Sequence, residues 1–226
     1  MKRFAITDWC HKRIHQMMEE EDVFGDEKQK LRLIDATAGT GKDTQFLCHF
    51  LGEREGEILA MDIQEMALLR TKRRLQQDGY VEIKNHLLEE NRGKGNIIWA
   101  NLTDKAAKKN IRLVLRGHEY MDAYFPAESV DVILFNLGYL PGGDHNLATK
   151  PETTLCALEK ALRLLKVGGL LSIVIYSGGD SGFEEKEQVL SWLQNLDASS
   201  YLVLVEQFYN RPNHPPLPVF IRKLAI

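Results

Sequence analysis

The sequence predicts an α/β fold, a mostly parallel seven-stranded sheet that closes with a C-terminal antiparallel hairpin. Three observations carry this. Short apolar runs alternate with segments of helical spacing, which implies βαβ units. A glycine-rich turn follows the first strong run. The last two apolar runs are separated only by a Pro-rich turn.

Residues Thr7 to Glu21 predict an amphipathic helix, with Thr7 or Asp8 as N-cap and Trp9, Ile14 and Met17 or Met18 on one face. A polar connector leads to LRLIDAT, a strand ending at Asp35. The turn AGTGKDT passes into a helix over Asp43 to Leu51, where Phe46, Leu47 and Phe50 share a side. EILAMD is the next strand, ending at Asp62. Gln64 to Gln77 returns as a helix with Ala67, Leu68, Thr71 and Leu75 facing inward. Residues 84–110 hold the short apolar run IIWA and a basic stretch through Lys108 and Lys109, read here as a basic insertion. IRLVLRG and VDVILFN are strands ending at Gly117 and Asn136. After the loop LGYLPGGDH, Thr149, Pro151 and Glu152 form a Thr-x-x-Glu capping box with Pro in the first turn. That helix should run to Lys166 and stop at Gly168-Gly169. LLSIVIY, a helix over Glu184 to Leu196, and the paired strands YLVLVEQFY and PVFIRKLAI complete the chain. The expected organisation is one domain over 1–226, with residues 1–30 as an N-terminal helical extension and 84–110 as the insertion.

A chain of 226 residues suits one large core better than two. Its 29 basic and 32 acidic side chains leave a net charge of −3, which excludes a uniformly basic nucleic-acid coat. The charge is uneven, however. Between Lys84 and Arg116 stand eight Lys or Arg (Lys84, Arg92, Lys94, Lys105, Lys108, Lys109, Arg112, Arg116) against Glu89, Glu90 and Asp104, a local +5. Cys10, Cys48 and Cys156 offer neither a CxxC pair nor zinc spacing, so no metal is expected, and a reducing cytoplasm suits them. The N-terminus lacks a signal-peptide run, and the longest apolar stretch, near Leu170 to Tyr176, is too short to span a bilayer.

Asp35-x-Thr37-x-Gly39-x-Gly41 joins a strand to a helix. Its glycines let backbone approach a ligand closely. Asp62 stands at the distance where an acid meets ribose hydroxyls in such folds. A P-loop would need Gly at 36 and Ser or Thr at 43. Ala36 and Asp43 stand there, and Asp43 would repel phosphate. A nicotinamide-type loop would want a third glycine near 44, where Thr44 stands. S-adenosylmethionine carries a sulfonium and an ammonium but no phosphate, and suits the acids. A plain tight turn capped by Asp43 is the competing structural reading.

Asn136-Leu137-Gly138-Tyr139 resembles the Asn-Pro-Pro-Tyr element of methyltransferases acting on amino groups. The Asn136 oxygen and the Leu137 carbonyl can accept amine N–H bonds and aim the lone pair. Tyr139 can stack on a planar base. Pro141, Gly142 and Gly143 can close over a substrate, and Asp144 or His145 can relay the amine proton. His118 can line an adenine pocket. A Gly/Pro turn with an incidental Asn is the plain alternative.

As a whole the chain resembles the YtqB/MnmM family of class I methyltransferases, also described as putative rRNA methylases. The likeness lies in Ile34 to Asp62, His118, NLGYLPGGD at Asn136 to Asp144, TKPETT at Thr149 to Thr154, the strand end at Tyr176, Glu184 to Glu187, and Asn210 to Pro216. It implies a Rossmann-like class I methyltransferase fold. It also implies methyl transfer from S-adenosylmethionine to the aminomethyl nitrogen of 5-aminomethyl-2-thiouridine at the tRNA wobble position. On that resemblance Asp35, Thr37, Gly39, Gly41, Asp43, Thr44, Asp62, Ile63, Gln64, His118, Asn136 and Leu137 would bind the cofactor. Asn136, Tyr139 and Asp144 would be catalytic, and Gly138, Tyr139, Pro141, Gly142, Gly143 and Thr149 would meet the substrate. The partner is then the tRNA anticodon loop, with a homodimer compatible and no membrane. The family's Gly-Asn-Gly-His-Asp-Thr loop is Gly39-Thr-Gly41-Lys42-Asp43-Thr44 here, and Ser177, Gly179 and Asp180 occupy the stretch where the family often has two histidines. Methylation of another RNA or of a small-molecule amine, and a non-catalytic binding module, are the alternative functions. The basic run at 84–116 is expected to be a tRNA-contacting arm beside the catalytic loop.

Overall fold

The computed structural model describes residues 5–19, 29–83, 98–138, 149–176, 180–212 and 215–225, with residues 98 and 180–182 in backbone only. Among these residues one sheet holds β1 (Leu31–Asp35), β2 (Gly56–Asp62), β3 (Val81–Glu82), β4 (Ile98–Thr103), β5 (Lys109–Leu115), β6 (Val130–Leu137), β7 (Leu165–Ile175), β8 (Tyr201–Val205) and β9 (Leu217–Lys223). Their order is β3-β4-β5-β2-β1-β6-β7-β9-β8. The central strands β5-β2-β1-β6-β7 are parallel, and antiparallel pairs flank them at both edges.

The helices are α1 (Ile6–Glu19), α2 (Lys42–Phe50), α3 (Glu65–Gln77), α4 (Pro151–Leu164) and α5 (Asp180–Gln194), with a 3-10 turn at His118–Ala123. Alternation along the strands decides which helices cover which face. Leu33, Ile58 and Val132 pack with Ile14 of α1, Phe46 of α2 and Leu68 of α3. Ile34, Leu59 and Ile133 pack on the other face with Leu158 of α4 and Val189 of α5.

The structure differs from the sequence expectation at four places. The sheet has nine strands rather than seven, because IIWA opens a full strand, β4, which pairs with β5 and with the two-residue β3. In α1 the buried residues are Cys10, Ile14, Met17 and Met18, while Trp9 is exposed and donates its indole N–H to Glu206 at 2.5 Å. Thr7 and Asp8 lie within that helix instead of capping it. Helix α4 begins at an N-cap of Lys150, not Thr149, and yields directly to β7 at Leu165. Gly168-Gly169 therefore lie in a strand and end no helix.

From β1 the chain moves to β2 on one side, and after β5 it crosses to β6 on the other. The strand order reverses between β1 and β6. In open α/β sheets that switch point opens a crevice at the carboxyl ends of the strands, and ligands bind there.

Candidate active site

The two strand ends at the switch point are stitched together. Ala36 N–H donates to the Leu134 carbonyl at 2.9 Å, and Asn136 N–H donates to Thr37 Oγ1 at 2.8 Å. Beneath the glycine turn Asp35 is fully buried and accepts the Thr44 hydroxyl at 2.5 Å and the Thr37 N–H at 3.2 Å. Burial, and then the charge of Asp43, push its carboxyl well above the usual range. Asp35 thus holds the turn from below and does not open onto the crevice.

Asp62 braces the turn from the side. It accepts Gly39 N–H and Gln64 N–H, each at 2.9 Å, and burial raises its pKa against these bonds. A carboxylate has further lone pairs for a ligand hydroxyl. Ile63, beside it, is 56% exposed, which makes it an apolar wall at the strand end. Gly41 takes a left-handed conformation with φ 78°, and a Cβ there would lie 2.7 Å from Thr71 Cα. Only glycine lets the turn pack this closely on α3. From α3, Arg74 Nε donates to the Thr40 carbonyl at 2.9 Å.

Asp43 lies in the first turn of α2, but its side chain does not cap the helix. Instead it accepts a bond from Asn136 Nδ2, and its other oxygen lies 2.7 Å from His11 Nε2 of α1. The His11 ring is stacked on Phe46, with centroids 3.8 Å apart. Asn136 Oδ1 is buried and has no hydrogen-bond partner among the described residues. The Leu137 carbonyl, expected to take an amine N–H, is engaged by Tyr176 N–H at 3.2 Å because the β6–β7 pairing runs on to this point. Asn136 Oδ1 is thus an acceptor at this strand end with no partner among the described residues, while the Leu137 carbonyl keeps its second lone pair.

Gly138 and Thr149 close the base of the segment between them. Gly138 N–H donates to Thr149 Oγ1 at 2.9 Å, and Thr149 N–H donates to the Gly138 carbonyl at 3.0 Å. The Thr149 and Thr154 hydroxyls each donate to the buried Glu185 of α5 at 2.7 Å. Burial holds the Glu185 carboxyl above its ordinary value despite these bonds. Thr149 is thus an anchor of the strand end. Tyr139, Pro141, Gly142, Gly143, Asp144 and His145 lie outside the described residues, as do Ser177 and Gly179.

His118 follows β5 and is buried, its ring tilted against Phe135 at 5.6 Å. Burial lowers its pKa, so it is neutral, and its Nε2 has no partner among the described residues. The basic run needs correction. Lys109 pairs with Gly56 at the start of β2, whereas Asp62 ends that strand beside the glycine turn. Six steps along the strand separate Gly56 from Asp62, about 20 Å. Lys105, Lys108 and Lys109 are therefore at the end of the sheet away from the crevice and from the Asn136 strand end. Lys84, Arg92 and Lys94 lie outside the described residues.

Sequence reasoning missed His11, and it named Glu185 only within the Glu184 to Glu187 run that carries the resemblance, without a role. His11 sits beside the buried Cys10 on an amphipathic helix, and Glu185 is the buried acid in a helix otherwise lined with exposed ones. The amphipathic pattern around His11 is legible in the sequence, whereas the burial of Glu185 follows only from the packing of α5.

The switch-point crevice, the glycine turn and the acid at the end of β2 form a nucleoside-binding site of the α/β type, and similarity to known methyltransferases makes it that of a class I S-adenosylmethionine-dependent methyltransferase. The family model described as "Putative rRNA methylase" matches residues 96–222. A protein of Arabidopsis thaliana named "tRNA (mnm(5)s(2)U34)-methyltransferase, chloroplastic" is 35% identical, covering 98% of this chain and 70% of its own length. The crystal structure of a putative rRNA-methylase from Clostridium thermocellum is 34% identical with a TM-score of 0.76, covering 99% of this chain and all 100% of that one. A putative methyltransferase from Streptococcus mutans, solved in complex with SAH, is 29% identical with a TM-score of 0.70 over 99% of this chain and 100% of its own. The chain belongs to this putative rRNA methylase family.

Proposed function

We propose that this enzyme methylates the aminomethyl nitrogen of 5-aminomethyl-2-thiouridine at the tRNA wobble position. The observation that carries the reading is the Asn136 carboxamide. It sits at the end of β6, its Nδ2 is held by Asp43, and its oxygen is buried without a partner. An amine N–H satisfies that oxygen, and a buried acceptor left unmade costs about 1–3 kcal/mol. The name of the Arabidopsis relative supports the same substrate.

The residues fit S-adenosylmethionine. Asp62 offers a carboxylate to ribose hydroxyls, while neutral His118 and exposed Ile63 stand at neighbouring strand ends. Gly39, Gly41 and Gln64 shape the backbone around Asp62, and Asp43 at the start of α2 disfavours a phosphate-bearing ligand. When bound, the cofactor supplies a methyl group on a sulfonium sulfur. Asn136 accepts an amine N–H and so directs the nitrogen lone pair. Tyr139 and the Pro141–Gly143 stretch cover the base, and Asp144 takes up the amine proton.

The anticodon loop is the part of the tRNA that enters the crevice in this reading. Residues 1–226 act as one domain with the N-terminal helix as an extension, and a homodimer is compatible with the exposed Leu202 and Val205 on the edge strand β8. Three free cysteines suit a cytoplasmic setting, and among the described residues no helix is long and apolar enough to cross a membrane. The test is nucleoside mass analysis of tRNA carrying 5-aminomethyl-2-thiouridine after incubation with the protein and labelled S-adenosylmethionine. Label in 5-methylaminomethyl-2-thiouridine is the expected result. Label in any other nucleoside, or none, overturns the assignment.

A further inference from the structure

We propose that the N-terminal helix is a working part of the site, and that His11 is a positioning residue acting through Asp43 on Asn136. The proposal rests on the amine-directed reading of Asn136 given above. A carboxamide can sit in its pocket two ways round, with oxygen or nitrogen toward the substrate. Here Nδ2 points at Asp43 and Oδ1 is left for the amine. Asp43 can impose that orientation only while it stays an acceptor at a fixed place. His11 Nε2, 2.7 Å from the second Asp43 oxygen, supplies the donor that holds it. As a carboxylate only accepts, the His11 nitrogen facing it carries the hydrogen.

The imidazole is itself held. It is parallel to the Phe46 ring within 3°, at a centroid distance of 3.8 Å. Helix α1 is tied at its middle and near its C-terminal end. Arg13 Nε donates to Glu206 at 2.8 Å, and Arg222 donates to the Met17 carbonyl. A small cavity between α1 and the sheet is lined by Thr7, Cys10, His11, Asp43, Asn136 and Ser172, so the same three polar groups meet in one space. The chain His11–Asp43–Asn136 therefore links a helix 32 positions away in sequence to the atom that aims the amine.

The test uses the full chain and three variants. His11→Ala removes the ring, His11→Phe keeps the stack on Phe46 but donates nothing, and His11→Gln restores a donor near the place of Nε2. Methylation of tRNA bearing 5-aminomethyl-2-thiouridine is measured as kcat and KM, with S-adenosylmethionine affinity by calorimetry. His11→Ala and His11→Phe should lower kcat by about tenfold to a hundredfold, the cost of a misplaced reacting group. KM and cofactor affinity should stay within about twofold, and His11→Gln should recover most of the loss. A merely structural ring would leave His11→Phe active, and that result overturns the proposal. Independently of activity, the Asn136 side-chain amide signals in a spectrum of ¹⁵N-Asn-labelled protein, assigned by their loss in Asn136→Asp, should shift in His11→Phe. Unchanged signals overturn the proposal. If the wild type does not methylate this tRNA, the substrate reading falls, and the amide signals alone decide the role of His11.

Discussion

Replacing Gly41 with Ala tests whether the glycine turn is shaped by its packing on α3. Two costs arise. Gly41 has φ 78°, and an L side chain in that conformation costs about 1–2 kcal/mol. The new Cβ would also stand 2.7 Å from Thr71 Cα and 2.9 Å from Thr71 Oγ1. The nearest atom is backbone, so the turn and α3 must move apart, at about 1–3 kcal/mol. The sum, about 2–5 kcal/mol, lowers Tm by roughly 10 °C for a chain of this size. Gly79→Ala is the control. It has φ 90° but nothing within 4 Å of its added Cβ, so it carries strain alone, about 3 °C. Thermal unfolding of both, with cofactor titration by calorimetry, separates strain from collision. Gly41→Ala should also weaken S-adenosylmethionine binding, whereas Gly79→Ala should not. Adding Thr71→Ala should not restore stability, because the closest contact remains. Equal losses in the two glycine variants would refute the reasoning.

Asn136→Ala should abolish methylation while calorimetry finds cofactor affinity nearly unchanged, and equal loss of both would count against its assigned role. Asp62→Ala removes an acceptor from two backbone N–H groups as well as from a ligand hydroxyl. Cofactor binding should fall by about 1.5–3 kcal/mol, and urea unfolding should show lower stability as well. Asp35 has a raised pKa, so the native state keeps its proton where the unfolded chain has lost it. Stability from this group is full below its ordinary 3.8 and declines as pH rises through the higher folded value. Asp35→Asn should therefore flatten the loss of stability on raising the pH from about 4 to 8, measured by urea midpoints; an unaltered slope removes this assignment. Charge reversal at Lys105 and Lys108 should leave the salt dependence of tRNA affinity unchanged, since both lie near the start of β5 at the far end of the sheet. A shallower slope would show that RNA reaches that end.

Much of the core was legible because its side chains follow a period. Leu31, Leu33 and Ile34 mark a strand covered on both faces, and Ala67, Leu68, Thr71 and Leu75 mark the buried stripe of α3. The run at Ile98 was harder to read because Asn101 and Thr103 interrupt its apolar pattern, although Asn101 is buried within β4. Gly168-Gly169 looked like a helix stop, since no local pattern announces that β7 starts at Leu165. The site was legible where it is local, as at Asp35 to Thr44. It was not legible where partners meet over long separations. His11 reaches Asp43 across 32 positions and Thr149 reaches Glu185 across 36. The charge of the run around Lys105 could be counted from the sequence, but its position depended on the register that sets Lys109 against Gly56.

The ties of α1 have a consequence for biosynthesis. Helix α1 is fastened by Glu206 and by Arg222 of β9, which follow it in the chain by 193 and 205 positions. At about 5–20 residues per second, α1 waits on the order of 10–40 s for Arg222 to be made. Throughout that interval Ile14, Met17 and Met18 lack part of their final cover. Arg222 of β9 is thus the late tie on the helix that carries His11. A chain cut before Arg222 can then contain every residue of the glycine turn and of the Asn136 strand end and still lack a tie of the helix that positions His11.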